Sequence, residues 1–271
     1  MRPGMLKTVA MTLGVLALVP RVALAETPAA ASAASVGDGS PFVYQRSAEG
    51  RAGAVTAILE TGYGTRETRN FAQDGVEQSL RLRYRPTERL SVEAFGGTLL
   101  EQEARSYGVE ANYRLLRATS IWPNVDAGLG FTHDYRGDDI PRVRVAAGRE
   151  VGRLGWGVTG TFEVPVGNPE RDELDIMLAT AATWSLSREL RIGVELAGED
   201  LEGLVEDEEA EGGAKLLAGP TLRAELGERL FVQLNSSVVY AQTANQVFAP
   251  GVRRPDTWGF SSRALLGWTL R

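Results

Sequence analysis

The sequence predicts an all-β protein, a twelve-stranded antiparallel transmembrane β-barrel with short periplasmic turns and longer external loops. Three observations carry the prediction. A period-two pattern recurs from residue 54 to the end of the chain, tight and long links alternate between the recurrences, and aromatic residues fall at two levels on the apolar parity.

The chain opens with a targeting segment. Arg2 and Lys7 give a positive start, Val9 to Val19 is mostly apolar, and Ala23-Leu24-Ala25 is an A-x-A cleavage site, so residues 1–25 read as a signal peptide. The apolar run is shorter than the roughly 20 residues of a spanning helix. There is no cysteine, which excludes a lipid anchor, disulfides and thiolate metal sites. Cleavage removes Arg2, Lys7 and Arg21 and takes the formal charge from −6 to −9. No basic block suits nucleic acid, and no later apolar stretch is long enough for a membrane helix.

Residues 26–53 are rich in Ala, Ser, Gly and Pro and read as a flexible periplasmic lead-in, or as a plug anchored by Phe42 and Tyr44. The strand pattern begins at 54–65. It is clearest at 76–85, where Val76, Gln78, Leu80, Leu82 and Tyr84 form one face and Glu77, Ser79, Arg81, Arg83 and Arg85 the other. It continues at 89–99, 105–116, 120–133, 141–151, 154–166, 173–186, 189–198, 214–226, 229–242 and 257–270. Each segment is long enough to cross a bilayer when tilted. Tight links at 86–88, 117–119, 152–153, 187–188 and 227–228 alternate without exception with longer polar links near 66–75, 100–104, 134–140, 167–172, 199–213 and 243–256. Short periplasmic turns and long external loops have that order, and an even strand number leaves both termini periplasmic.

Tyr84, Tyr113, Trp156, Trp184 and Trp268 then fall near the periplasmic side on the outward parity. Tyr63, Tyr107, Phe131, Tyr240 and Trp258 fall near the external side. Two such levels match the interfacial girdles of a membrane barrel in the Gram-negative outer membrane.

The lumen parity is charged. It carries Arg81, Arg83, Arg85, Arg114, Arg142, Arg144, Arg191, Arg223 and Arg263 against Glu93, Glu110, Asp126, Glu163, Asp175 and Glu195, with Glu60, Glu77, Glu225 and Lys215 beside them. Two readings follow: a cross-strand salt-bridge network that stiffens the wall, or a selectivity lining whose arginines attract an anionic or aromatic carboxylate solute. Twelve strands lie between a side-chain-filled interior and an open aqueous channel. Gly128, Gly130, Gly155 and Gly157 on the lumen parity predict one lightly filled sector and so favour a passage.

Catalytic chemistry finds little support. The single histidine, His133, lies on the outward parity and its neighbour Asp134 points to the other face, so the pair is badly placed as base and orienter. The position two residues on, where lipid-side phospholipases carry serine, is Tyr135. The expectation is a non-enzyme with no cofactor and no metal site, His133 being a rim residue. The acidic loop 199–213 reads as a solvated, self-repelling segment, with divalent-cation contact at the lipopolysaccharide surface as the alternative.

The stretch Ser79 to Glu93, through the tight turn Pro86-Thr87-Glu88, resembles the strand–turn–strand hairpin of a large group of outer-membrane barrels, as do 107–116, 146–156 and 218–230. Barrels of that group are often labelled transporters or phenol-degradation meta-pathway proteins. The resemblance implies a twelve-stranded barrel and uptake of small or aromatic compounds. The expected function is an outer-membrane channel or facilitator for small solutes, with a closed structural or surface-interaction barrel as the alternative. The expected partners are outer-membrane lipid, lipopolysaccharide and small solutes, with no nucleic acid.

Overall fold

A computed structural model describes residues 51–64, 75–100, 104–133, 138–166, 174–199, 214–242 and 258–270. Twelve strands run β1 Val55–Gly64, β2 Gly75–Tyr84, β3 Leu90–Leu99, β4 Ala104–Leu116, β5 Asn124–His133, β6 Asp139–Val151, β7 Leu154–Glu163, β8 Asp175–Ser185, β9 Leu190–Glu199, β10 Ala214–Glu225, β11 Leu230–Gln242 and β12 Trp258–Thr269. Each pairs antiparallel with its sequence neighbours, and β12 pairs with β1 from Thr56↔Thr269 to Gly64↔Ser261. The barrel is therefore closed and has no sheet edge to protect.

The faces are inverted relative to a soluble protein. Leu59, Leu80, Leu82, Leu129, Val143 and Val194 are exposed, while Glu60, Arg83, Glu93, Glu110, Arg144 and Gln233 are buried. Because side chains alternate along each strand, one period-two pattern writes both surfaces. An apolar exterior around a polar interior is stable where the outer solvent is lipid, and closing the ladder satisfies every strand there. The ten aromatics of the two levels all point outward, and at the long-loop end Tyr63 packs on Phe260 and Tyr240 on Trp258, with ring centroids 5.8 and 5.1 Å apart. No helix among the described residues is long and apolar enough to cross a membrane.

Local chemistry explains the turns. Gly152 and Gly227 adopt φ of +61° and +88°, a region that costs a side chain but not glycine. At 86–89 and 186–189, Thr87 and Ser187 hydroxyls accept the amides two and three residues on. Pro220 lies within β10 on the lipid side and cannot donate to the ladder. Pairing with β11 lapses between Ala218↔Val238 and Thr221↔Asn235, where Thr221 Oγ1 donates to Leu234 O at 3.2 Å.

Two boundaries correct the sequence reading. Strand β5 starts at Asn124, not near 120: Thr119 Oγ1 accepts the Ile121 and Trp122 amides, Thr119 N donates to Trp122 O, and Asn124 Oδ1 accepts the Ala118 amide, closing a turn ahead of Pro123. The link 117–123 is thus longer than the links 100–103 and 134–138 at the other end, and 85–89 is also longer than 100–103, so the alternation of short and long is not strict across β2 to β6. Strand β7 stops at Glu163 rather than 166, with Val166 retaining a bridge to Asp139. Residues 1–25, read as a signal peptide, nearly all of 26–53, read as a lead-in, and residues 200–213, 243–257, Asp134 and Tyr135 lie outside the described residues.

Candidate functional site: the lumen belt

The lumen has two unlike walls. From β12 through β1 to β7 runs a belt of ion pairs. Its first half links Glu77 to Arg263 (3.7 Å), Arg263 to Glu60, Glu60 to Arg81 (3.0 Å), Arg81 to Glu93 (3.5 Å) and Glu93 to Arg83 (2.8 Å). Its second half centres on Glu110, which holds Arg142 at 3.0 Å and Arg144 at 2.9 Å, while Arg142 lies 3.9 Å from Glu163. Asn112 Nδ2 donates to Glu110 Oε1 at 2.8 Å, and Arg144 donates to Asn112 Oδ1. The halves meet where Glu93 on β3 and Glu110 on β4 stand in register. Two adjacent carboxylates inside a barrel are costly, and two guanidinium groups on each offset that cost.

Phe95 joins the halves. The Arg81 and Arg142 guanidiniums lie 5.7 and 4.9 Å from its ring centroid, and the ring covers Gly108 on the next strand, where a Cβ would strike it.

The glycine sector departs from expectation. Register aligns Glu110–Gly130–Arg142 and Asn112–Gly128–Arg144 in two parallel rows across β4, β5 and β6. A Cβ at Gly130 would lie 2.7 Å from Arg142 Nε, and one at Gly128 would strike the Asn112 side chain. At Gly155 the Thr183 hydroxyl would be 2.7 Å away. These glycines leave no lightly filled sector. Neighbouring side chains take the space, and the gaps in β5 are the path by which two β6 arginines reach a β4 carboxylate. Gly157 is buried on the same face.

The other residues read as lumen-lining also sit on the inner face. Arg114 pairs with Asp126 at 3.1 Å. Arg85 is buried at the short-turn end, and its backbone bonds Gly53 and Ala54. Arg191 pairs with Glu150 at that mouth, and Arg223 holds Glu225 at 2.7 Å while its guanidinium lies 3.8 Å from the Phe231 ring centroid. Asp175 is half-buried, in register with Glu163.

The facing wall, β7 to β12, is richer in hydroxyls and amides, although Glu195, Lys215 and Arg223 are also buried on it. Thr159, Thr161, Thr183, Thr221, Gln233, Asn235, Ser237 and Ser261 are buried there; Asn235 donates to Glu195 at 3.1 Å and accepts from Ser237 at 2.9 Å. Above them Ala197, Leu217 and Val239 pack with Ala179 as an apolar patch. Sequence reading missed Phe95, Phe231 and this amide–hydroxyl wall. A polar residue on the inward parity was its only available signal. His133 lies at the long-loop rim, stacked on Tyr107 (5.0 Å) with Nδ1 2.9 Å from Asp139, a partner six residues away in sequence.

No family model and no curated protein matches the chain. Solved structures do. A KdgM porin in complex with disordered oligogalacturonate superposes with a TM-score of 0.56 at 8% identity, covering 80% of this chain and 99% of that one. A NanC porin gives 0.56 at 12%, covering 79% and 100%. An outer membrane channel from Pseudomonas putida F1 gives 0.53 at 11%, covering 81% and 96%. The fold is that of twelve-stranded, porin-like outer-membrane barrels.

Proposed function

We propose that this chain is a passive outer-membrane channel for small solutes bearing an anionic group, its selectivity set by the belt. The observation that carries the reading is the division of the lumen. A belt that concentrates five guanidinium groups, each paired with a carboxylate, faces a wall richer in hydroxyls and amides, so a solute can slide along that wall and the apolar patch with its carboxylate turned toward arginine. The porins and the channel of like fold add support, and the resemblance to meta-pathway transporters favours aromatic carboxylates within that class. In this reading the short turns are periplasmic, residues 1–25 are removed, and the lumen-lining residues are Arg81, Arg83, Arg85, Glu93, Glu110, Arg114, Asp126, Arg142, Arg144, Glu163, Asp175, Arg191, Glu195, Arg223 and Arg263. The chain has no catalytic role. Outer-membrane lipid and lipopolysaccharide surround it.

Liposome swelling tests this directly. Refolded protein should admit small sodium carboxylates faster than neutral solutes of equal size; equal rates, or none, would refute the selectivity. The burial of Arg83, Arg144, Glu93 and Glu110 favours a second reading, a sealed barrel stiffened by ion pairs. Complete impermeability of a correctly folded barrel would establish it.

A further inference from the structure

The short-turn end carries a feature that conduction does not require. In the β4–β5 turn, Ile121 is 77% exposed and Trp122 64%, comparable to the 68% of the lipid-facing Leu129, although both lie outside the strands. The turn is built to hold them out. Thr119 caps it from within, and Arg149 of the next hairpin donates to Ser120 O (2.6 Å) and Ile121 O (3.3 Å). Arg117 is tied to Glu88 of the preceding turn at 2.6 Å. A bulge between Arg114 and Leu116 leaves both Leu115 and Leu116 exposed, so apolar surface continues from the barrel wall toward the turn.

Charge around the same rim is also ordered. Each of the five short turns carries one exposed arginine: Arg89, Arg117, Arg153, Arg188 and Arg229. Glu88, Glu189 and Glu228 sit among them. An indole beside arginines at the edge of an apolar belt is the side-chain pairing suited to the bilayer interface, with the ring at the acyl boundary and guanidinium groups at the phosphates.

We propose that the 117–123 turn is a lipid-inserting foot. Ile121 and Trp122 enter the inner leaflet, and the arginine ring binds the phosphates of anionic phospholipid. The inference rests on the membrane orientation adopted above. Continuity with the lipid-facing wall and the one-arginine-per-turn ring argue for a phospholipid surface as the occupant.

The test uses the full barrel with Trp156, Trp184, Trp258 and Trp268 replaced by Phe, leaving Trp122 as the only indole of the five. It is refolded into phosphatidylethanolamine vesicles with and without phosphatidylglycerol. A second variant that keeps only Trp184, which faces lipid at the same end, is the control. Trp122 emission should be blue-shifted, lost to brominated acyl chains and protected from aqueous iodide. Phosphatidylglycerol should strengthen that protection, and the gain should shrink in Arg117→Gln and in high salt. Emission typical of water with full iodide quenching, while Trp184 is quenched by the brominated chains, would overturn the foot and leave the barrel in its membrane. Loss of quenching at both positions would overturn the membrane reading itself. Insertion of Trp122 without any dependence on phosphatidylglycerol would overturn the arginine half of the proposal.

Discussion

Arg142 on β6 reaches Glu110 on β4 at 3.0 Å by lying across Gly130 of the intervening strand. Two strands of a barrel that never pair with each other are thereby linked through the lumen, and the linkage depends on a missing side chain. Gly128 does the same for Arg144, which ends on Asn112 and Glu110.

Gly130→Val should push Arg142 off Glu110 and lower barrel stability by about 1–3 kcal/mol, the usual range for overpacking. In a double-mutant cycle read by urea unfolding in vesicles, Arg142→Ala should cost much less in the Gly130→Val background than alone, because the pair is already broken. Additive losses would mean that Arg142 does not depend on the Gly130 gap.

The Arg114–Asp126 pair, linked at 3.1 Å across β4 and β5, tests the cost of a lumen charge. Asp126→Ala alone should destabilise by up to about 3–5 kcal/mol, since it removes the carboxylate that holds a largely buried guanidinium at 3.1 Å. Arg114→Met with Asp126→Leu should lie within about 1 kcal/mol of the parent or above it, because no charge is then left unpaired. Equal losses in the single and double variants would show that the pair itself contributes net stability.

Two glycines separate conformational need from available space. Gly152 has φ +61° in the β6–β7 turn, whereas Gly160 meets nothing within 4 Å and has no such backbone requirement. Gly152→Ala should destabilise by about 1–2 kcal/mol. Gly160→Ala should be neutral or stabilising by up to about 1 kcal/mol through the unfolded chain. Heat-modifiable gel mobility ranks both.

The fold was legible because a barrel in lipid needs one signal repeated, and alternation at Val76 to Arg85 states which residues face lipid and which face the lumen. The parity assignments of Arg81, Glu93 and Arg142 needed nothing more. What alternation cannot carry is a contact that skips a strand. It therefore marked Gly128 and Gly130 as empty space, when the register fills that space from β4 and β6. Periodicity also overran the start of β5. Ser120 to Asn124 continues the pattern acceptably, but Thr119 hydrogen bonding and Pro123 favour a turn there. Phe95 and Phe231 went unread because an inward aromatic in a charged lumen matters only through what it covers, Gly108 and Gly267, each on the adjoining strand.

Ion selectivity tests the account most directly. Single channels in a planar bilayer, bathed by a potassium chloride gradient, give a reversal potential for the parent, Glu110→Gln and Arg144→Gln. The parent should favour chloride over potassium, as the proposed preference for anionic solutes requires. Glu110→Gln, which removes the carboxylate shared by Arg142 and Arg144, should shift the potential toward chloride, and Arg144→Gln toward potassium. Identical reversal potentials in all three, or no conductance from a correctly folded barrel, would contradict a belt that governs passage.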